Sequence, residues 1–277
     1  MKSTQCLAGL IVALLAFPGI ALAKDVITIN GSGSALDMMK PMIAAYQKNH
    51  RDVNIVMGKP LGSSGAVRAL LAGELDMVLS SKPLKPEETA KGAQLQRYGK
   101  TPLVIIMEAN VRKANITTKE LEDIYAGNNV TWPSGELIRL VLRPREDIDS
   151  TILCGLSPGM TNAMEIARSR PGFMVAVTDP EAYSAVSKTP GGLGATGMTS
   201  IIANNLPVAS LKLNGVTPSP ETLVSGAYPL SKQISIVTTP KTSPAAHKLI
   251  NFMLSSQGRT IAANTGVLVT AGPATKK

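Results

Sequence analysis

The chain has 277 residues, of which 44% are hydrophobic, 17% charged and only 3% aromatic. This length suits two lobes or one large domain, and the apolar content excludes a wholly disordered chain. The formal charge of +9 comes from lysines and arginines that are scattered along the sequence. Nucleic-acid binding favours a basic stripe or an aromatic stacking platform. We therefore expect no nucleic-acid partner and favour a small anionic ligand.

The first 23 residues have the pattern of a secretory signal peptide. Lys2 precedes the apolar run Leu7–Leu22, which Pro18 interrupts, and the run ends in Ala21-Leu22-Ala23. A membrane-spanning helix needs about 20 uninterrupted apolar residues, whereas small residues after a shorter run are typical of a cleavage site. We expect a mature protein that begins at Lys24 and is exported to the periplasm.

Cysteine and histidine are too few for the common metal and catalytic sites. Cys154 is the one thiol of the predicted mature chain, which excludes an internal disulfide. His50 and His247 are the two histidines, and neither lies near a Gly-x-Ser-x-Gly nucleophile motif. Because a serine triad needs a base and a metal site needs clustered ligands, we expect no enzyme, no metal and no cofactor.

Strand and helix patterns alternate along the mature sequence, which is typical of an α/β protein with a parallel sheet and crossover helices. Short apolar runs or apolar alternation predict strands at Val26–Asn30, Val53–Met57, Asp76–Leu79, Leu103–Met107, Ile138–Leu142 and Ile234–Thr238. Apolar residues at helical spacing, with proline at some first turns, predict helices at Leu36–Lys48, Ala66–Gly73, Asn162–Arg168, Pro180–Lys188 and Pro244–Ser255.

Three loops share the order of a strand, a short polar turn and a helix start. They cover residues 30–35, 62–66 and 143–151. Glycine lets a backbone approach a ligand closely, and free N–H groups at a helix start attract anions. In open α/β sheets such turns lie at the carboxyl ends of the strands, where ligands bind. Together the three loops predict an oxyanion site.

Each loop also has a purely structural interpretation. Ser34 with Asp37 resembles a capping box, and Ser63 or Ser64 could cap the second helix. The first loop lacks the third glycine of a dinucleotide-binding fingerprint.

The loops carry a resemblance to a known family. Gly62-Ser63-Ser64-Gly65-Ala66-Val67, then Leu75-Asp76, then Ser80-Ser81-Lys82-Pro83-Leu84 resemble the motifs of periplasmic phosphate-binding proteins of ABC transporters, in the type II periplasmic binding protein superfamily. The resemblance implies two α/β lobes joined by two crossover strands, with the ligand in the cleft between them. It implies lobe 1 at residues 24–107 plus 228–277 and lobe 2 at residues 108–227.

The resemblance also implies a set of ligand-binding residues. Carried over by position, they are Ser34, Ala35, Ser64, Ser81, Arg145, Asp149, Ser150 and Thr151. Ala35 replaces the usual threonine and retains its N–H alone. The arginine offers a planar fork of donors that suits an oxyanion.

Two positions depart from the family pattern. Ser81 replaces the aspartate that accepts the proton of hydrogen phosphate, and Asp149 replaces a serine. Asp149 could be a relocated proton acceptor, which would keep phosphate specificity. It could instead point away and leave a purely donating site for a sulfate-like anion, or the site could serve another ligand. Asp149 could also be the N-cap of the following helix.

These observations favour a monomeric periplasmic solute-binding protein that delivers a small oxyanion, phosphate first, to an ABC-transporter permease. The alternative is a periplasmic sensor or accessory module that presents a different ligand to a membrane partner without transport.

Overall fold

A computed structural model describes residues 25–171 and 173–272. The predicted signal peptide, residues 1–23, lies outside these described residues. Within them, no helix combines the length and the apolar character that crossing a membrane requires.

Twelve strands and eleven helices alternate along this part of the chain. The strands are β1 Asp25–Gly31, β2 Val53–Met57, β3 Met77–Ser80, β4 Gln94–Glu108, β5 Asn115–Ile116, β6 Arg139–Leu142, β7 Met174–Val175, β8 Gly192–Gly197, β9 Val208–Ser210, β10 Lys212–Leu213, β11 Ser231–Thr238 and β12 Leu268–Val269. The helices are α1 Gly33–Asn49, α2 Gly62–Leu71, α3 Pro86–Ala90, α4 Thr118–Ala126, α5 Ile148–Cys154, α6 Pro158–Ser169, α7 Asp179–Lys188, α8 Met198–Asn204, α9 Pro220–Val224, α10 Pro244–Leu254 and α11 Ser256–Asn264.

One long strand, β4, connects two groups of strands. The main sheet has the order β2-β1-β3-β11-β4-β8-β6-β7, and β9 and β12 also pair with β4. The first half of β4 pairs with β11, whereas its second half, Leu103–Met107, pairs with β8. The two groups of strands form the two lobes, and β4 and the start of β11 lie where the chain crosses between them.

Each lobe has its own hydrophobic core. Ile27, Met38, Tyr98, Ile236 and Leu249 are among the buried residues of the first. The second contains buried residues that include Leu103, Ile116, Trp132, Leu193 and Tyr228. Burial of side chains this large is worth roughly 1.5–3 kcal/mol each, so each lobe has an apolar driving force of its own.

The predicted α/β class and the two-lobed arrangement are confirmed. The expectation of a parallel sheet is wrong at its centre: β1 pairs in parallel with β2 and β3, but β11 is antiparallel to β3 and β4, and β4 is antiparallel to β8. An apolar run shows that a strand is buried and carries no information on its direction.

The boundary between the lobes lies earlier than residue 107. Leu103, Ile105 and Met107 were placed in lobe 1 by the resemblance, but their side chains pack in the second core. The Leu103 N–H also donates to the carbonyl of Leu230, the residue directly before β11. The remainder of the predicted lobe division stays a prediction.

Contacts across the cleft hold the lobes together on two sides. At one side, the Thr199 hydroxyl of α8 donates to the Ser34 carbonyl of α1 over 2.7 Å, and the Ser200 hydroxyl donates to Asp37 over 2.7 Å. At the other side, the Lys82 ammonium donates to the Glu146 carbonyl. The structure is therefore in a closed conformation.

Gly31 ends β1 just before the first loop, and a side chain there would clash with the backbone. An added Cβ would lie 2.0 Å from the carbonyl oxygen of Leu79, the β3 residue paired with Gly31. We expect Gly31→Ala to cost about 3 kcal/mol, the upper end for overpacking, and to lower the Tm by about 6–12 °C. Gly58→Ala is the matched control, since its Cβ would meet its nearest neighbour at 3.5 Å. A Tm loss at Gly31 no larger than that at Gly58 would contradict the packing argument.

Candidate ligand site

A cavity of about 390 Å³ lies between the lobes. The α1 and α2 starts line it from the first lobe, and the α5 and α7 starts line it from the second. Its charged lining side chains are Arg68, Lys82, Arg143, Glu146, Asp147, Asp179 and Lys232. Pockets that hold small ligands usually have volumes of about 300–1,000 Å³, so the cavity has room for a small molecule.

The N-terminus of α2 opens into this cavity without a side-chain cap. Its N-cap residue is Leu61, which offers no side-chain acceptor, and Gly62 has a φ of +70°. Gly62, Ser63, Ser64 and Gly65 all line the cavity. Uncapped N–H groups at a helix start carry partial positive charge, so this turn is suited to an anion. The alternative in which Ser63 or Ser64 caps α2 is wrong.

Ser63 instead takes part in a chain of hydrogen bonds that links the start of α2 to the β3–α3 and β1–α1 loops. Its hydroxyl accepts a hydrogen bond from the Ser81 N–H over 2.9 Å, and the Ser81 hydroxyl bonds that of Ser32 over 2.7 Å. Ser81 is buried by these contacts and does not line the cavity. Its role in this closed structure is to hold the β1–α1 and β3–α3 loops in register.

Arg143 is the arginine of the third loop that faces the cavity. It is 6% exposed, and its Nη2 donates to Asp147 over 2.8 Å. Its Nε and Nη1 have no hydrogen-bond partner among residues 25–171 and 173–272. A buried guanidinium with unused donors is costly unless something accepts from it. Arg143 thus lines the cavity as a buried cation, with two donors that no described residue accepts from.

Arg145, the arginine singled out from the sequence, points to the outside. Its side chain is 66% exposed and pairs with Glu165 of α6. It does not line the cavity. Pro144 separates the two arginines, and the chain turns there, so the side chains leave in different directions. The structure brings Arg143 to the position that the sequence analysis gave to Arg145.

A buried charge cluster forms the floor of the cavity. Lys232 of β11 lies with its Nζ 2.7 Å from Asp149 Oδ1 and 2.7 Å from Asp179 Oδ1. All three side chains are almost fully buried. Arg143 Nη2 lies 3.9 Å from Asp179 Oδ2 and links the cluster to the third loop. Lys232 extends from β11, where the chain crosses between the lobes, and both aspartates extend from helix starts of the second lobe. The cluster therefore links β11 to the second lobe.

The two aspartates have opposite pKa shifts. Burial raises the pKa of Asp149 to about 6 against the opposing charge of Lys232, and the nearby Asp179 adds to the rise. Burial acts in the same direction on Asp179, but Lys232 and Arg143 outweigh it and lower the pKa of Asp179 to about 2. Two close carboxylates that share one lysine separate in this way, since the one with more cationic and hydrogen-bond partners keeps its charge.

The raised pKa of Asp149 predicts a pH dependence of stability. Since the folded pKa of about 6 lies above the ordinary value of 3.8, the unfolded chain releases this proton at lower pH. The free energy of unfolding therefore falls as the pH rises from about 4 to about 6. Asp149→Asn should at least halve the fall in Tm measured calorimetrically between pH 4.5 and 6.5.

Asp179 does not interfere with this measurement. Its lowered pKa makes the free energy of unfolding rise with pH, and only between about pH 2 and its ordinary pKa of 3.8. Asp123→Asn is the control: its side chain is partly exposed and its pKa is lowered instead of raised, so the slope should stay unchanged. An unchanged slope in Asp149→Asn would contradict the assignment.

Of the eight residues predicted for the ligand site, Ser64 lines the cavity. Ser34, Ala35, Asp149 and Ser150 are buried behind it. Thr151 is exposed, and its hydroxyl donates to the Asp147 carbonyl over 3.1 Å. That these residues bind a ligand stays a prediction.

Two capping alternatives are also resolved. The N-cap of α5 is Asp147, whose carboxylate accepts from the Asp149 N–H, so Asp149 is not the cap. The N-cap of α1 is Ser32, and Asp37 pairs with Lys40 instead of forming a capping box with Ser34.

Sequence reasoning missed most of the charged lining. Arg68, Lys82, Asp179 and Lys232 belong to no motif that the loops share. Asp179 directly precedes the predicted helix Pro180–Lys188, and Arg143 belongs to the third loop. One signal in the sequence could have pointed to Arg143. It directly follows β6, so its side chain is expected on the same face as every second residue of that strand.

Comparison with known proteins assigns the family. A family model described as a PBP superfamily domain matches residues 19–257. The chain belongs to the PBP superfamily. Among curated relatives, the phosphate-binding protein PstS of Borreliella burgdorferi is 25% identical over 88% of this chain and 90% of its own length. The resemblance to phosphate-binding proteins seen in the sequence is thereby confirmed.

Solved structures show the same fold in other PBP superfamily members. A substrate-binding protein of Clostridium perfringens, solved with bound phosphate, has a TM-score of 0.75 at 19% identity and covers 89% of this chain and 100% of its own. The periplasmic molybdate-binding protein of Azotobacter vinelandii has a TM-score of 0.63 at 14% identity and covers 88% and 100%. At such identities the likeness concerns the fold, and it spans proteins for two different oxyanions.

Proposed function

We propose that this PBP superfamily member binds a small oxyanion, phosphate first, in the cavity between its lobes. The observation that supports this most is the convergence of two anion-binding features on one cavity. The uncapped start of α2 supplies backbone donors, and Arg143, which lines the same cavity, supplies the positive charge of its guanidinium. Backbone N–H groups and a guanidinium fork are the donors that proteins use for oxyanions.

The charge of the lining supports an anion of modest charge. Four cationic side chains, Arg68, Lys82, Arg143 and Lys232, face three carboxylates, Glu146, Asp147 and Asp179. The balance is one positive charge, to which the helix starts add partial positive charge. An anion that carries a proton can donate to a carboxylate, whereas a fully ionised one is repelled.

Phosphate is the first candidate because the lining holds carboxylates and because related proteins are named for it. The PstS of Borreliella burgdorferi is a phosphate-binding protein. At neutral pH phosphate retains a proton, and sulfate does not. Asp149, the replacement suggested by the sequence, is held by Lys232 and does not line the cavity, so the carboxylates that face this proton are Glu146, Asp147 and Asp179.

The cellular role follows from the same family membership. We infer that the protein is exported to the periplasm, works as a monomer, carries out no chemistry and delivers its ligand to an ABC-transporter permease. The relatives are binding proteins. Closure of two lobes around a ligand is the expected motion of such proteins.

Thermal melts with a panel of anions test the proposal. The protein is stripped of ligand by unfolding and refolding, then melted with phosphate, arsenate, sulfate or molybdate. A ligand at about 1,000 times its Kd adds about 4 kcal/mol, which is roughly 8–16 °C for a protein of this size. We expect phosphate and arsenate to give the largest shifts. No shift with any of the four anions would overturn the oxyanion assignment.

A further inference from the structure

The carboxylate of Asp179 lies against the N-terminus of α1, across the interface between the lobes. A Cβ added to Gly33 would lie 2.7 Å from Asp179 Cβ and 2.9 Å from its Oδ2. The glycine therefore leaves the space into which this side chain packs. The backbone at Ser34 adds to the effects of Lys232 and Arg143, which lower the pKa of Asp179.

Two cations complete the surroundings of this carboxylate. Lys232 Nζ is 2.7 Å from Oδ1, and Arg143 Nη2 is 3.9 Å from Oδ2. Asp179 is thus bound by a helix N-terminus, a lysine and an arginine. This is the set of donors that a free oxyanion would use in the same place.

The secondary structure of α7 does not require this arrangement. The N-cap of α7 is Thr178, whose hydroxyl accepts from the Glu181 N–H, and Glu181 completes a capping box. Asp179 is in the first turn, where a carboxylate interacts favourably with the helix dipole. That contribution would be available with the side chain in solvent. Its burial at α1, a helix of the other lobe, calls for a separate explanation.

We propose that Asp179 is an internal competitor that lowers the affinity of the site, because its carboxylate lies against the start of α1 and near Arg143, the guanidinium that a bound oxyanion also needs. While the carboxylate is there, these donors are not available to an oxyanion. The measured affinity is then reduced by the fraction of molecules in which Asp179 occupies α1. This inference rests on the proposed function for its ligand, but the contact itself can be tested without one.

The experiment compares wild type with Asp179→Asn, which keeps the shape and removes the charge. Lys232 retains Asp149 as its partner in this variant, so we expect it to fold, and Asp179→Ala is the second variant. Calorimetric titration should show phosphate binding at least tenfold tighter than in wild type. Hydrogen exchange of the ligand-free protein should show the Ser34 amide exchanging at least tenfold faster.

Removal of any negative charge from the cavity would favour an anion to some extent. Glu146→Gln is the matched control, because Glu146 lines the cavity, is exposed and does not touch α1. We expect it to tighten phosphate binding less than threefold and to leave the Ser34 exchange rate as in wild type. Equal effects in the two variants would mean that Asp179 acts only through its negative charge and not through its contact with α1. That result would overturn the inference.

The two arms separate this inference from the proposed function. Faster Ser34 exchange in Asp179→Asn, with no phosphate binding by either protein, supports the contact and counts against phosphate as the ligand. Unchanged Ser34 exchange, or weaker phosphate binding in the variant, overturns the inference even if wild type binds phosphate well.

Discussion

Lys232→Met lowers the thermal stability of the protein by about 6–20 °C at pH 7.5. The substitution keeps the length of the side chain but leaves the buried carboxylates of Asp149 and Asp179 without the ammonium that lies 2.7 Å from each. Removal of one partner from a buried ion pair costs about 3–5 kcal/mol, and a protein of this size loses about 2–4 °C per kcal/mol. Calorimetry or circular dichroism measures the loss.

The loss should be smaller at pH 5 than at pH 7.5. Without Lys232 the pKa of Asp149 rises further, since the cation opposes the effect of burial, and a neutral carboxyl needs no counter-ion. Lys119→Met is the matched control: its pair with Asp123 is exposed, and such pairs contribute less than about 1 kcal/mol. A Tm loss below 2 °C for Lys232→Met, or one that does not depend on pH, would show that the lysine does not hold this cluster.

Arg143→Gln weakens phosphate binding by about 30-fold to several thousand-fold. Truncation of a buried, hydrogen-bonded charge at a binding site costs about 2–5 kcal/mol, and each 1.4 kcal/mol is a factor of ten. Glutamine retains a donor for Asp147 but neither the charge nor the two donors that Arg143 holds in reserve. Calorimetric titration of the ligand-stripped variant measures the change.

Arg145→Gln is the control that distinguishes the two arginines of the third loop. Its side chain is exposed and pairs with Glu165, away from the cavity. We expect its phosphate affinity to stay within twofold of wild type. If Arg145→Gln loses the binding and Arg143→Gln retains it, the family-based assignment is correct and the site described for this structure is not.

Elements with a complete local signal were predictable from the sequence. Helix α1 was anticipated because Met38, Met39, Met42 and Tyr46 recur at helical spacing, and all four are buried. The strands β1, β2 and β11 were anticipated for the corresponding reason, their apolar alternation or continuous apolar run. The short elements α3, α8, α9, β7 and β12 have too few residues to show a period and are not predicted. The longer elements α4, α11 and β8 are not predicted either.

The candidate site was predictable at the level of its loops and not of its side chains. The glycine-serine turn before α2 carries its own signal, because glycine and small polar residues favour an uncapped, positively charged helix start. The choice between Arg143 and Arg145 depends on the direction of the chain at Pro144, which no local pattern specifies.

Lys232 is the clearest case of a tertiary effect. A lysine between Ser231 and Gln233 in a strand is expected to face solvent, since lysines are almost never fully buried unless paired. Its burial depends on Asp149 and Asp179, which are far away in the sequence and come near only when the second lobe packs against β11. Single-sequence reasoning has no access to such a pairing.

The position of a bound oxyanion tests the central claim most directly. Crystals of the ligand-stripped protein grown with arsenate, which carries a proton as phosphate does, would reveal the anion by its anomalous scattering. The account predicts one strong peak between the lobes, within hydrogen-bonding distance of the Arg143 guanidinium and the backbone N–H groups at the start of α2. A strong peak elsewhere, with this cavity empty at saturating arsenate, would contradict it.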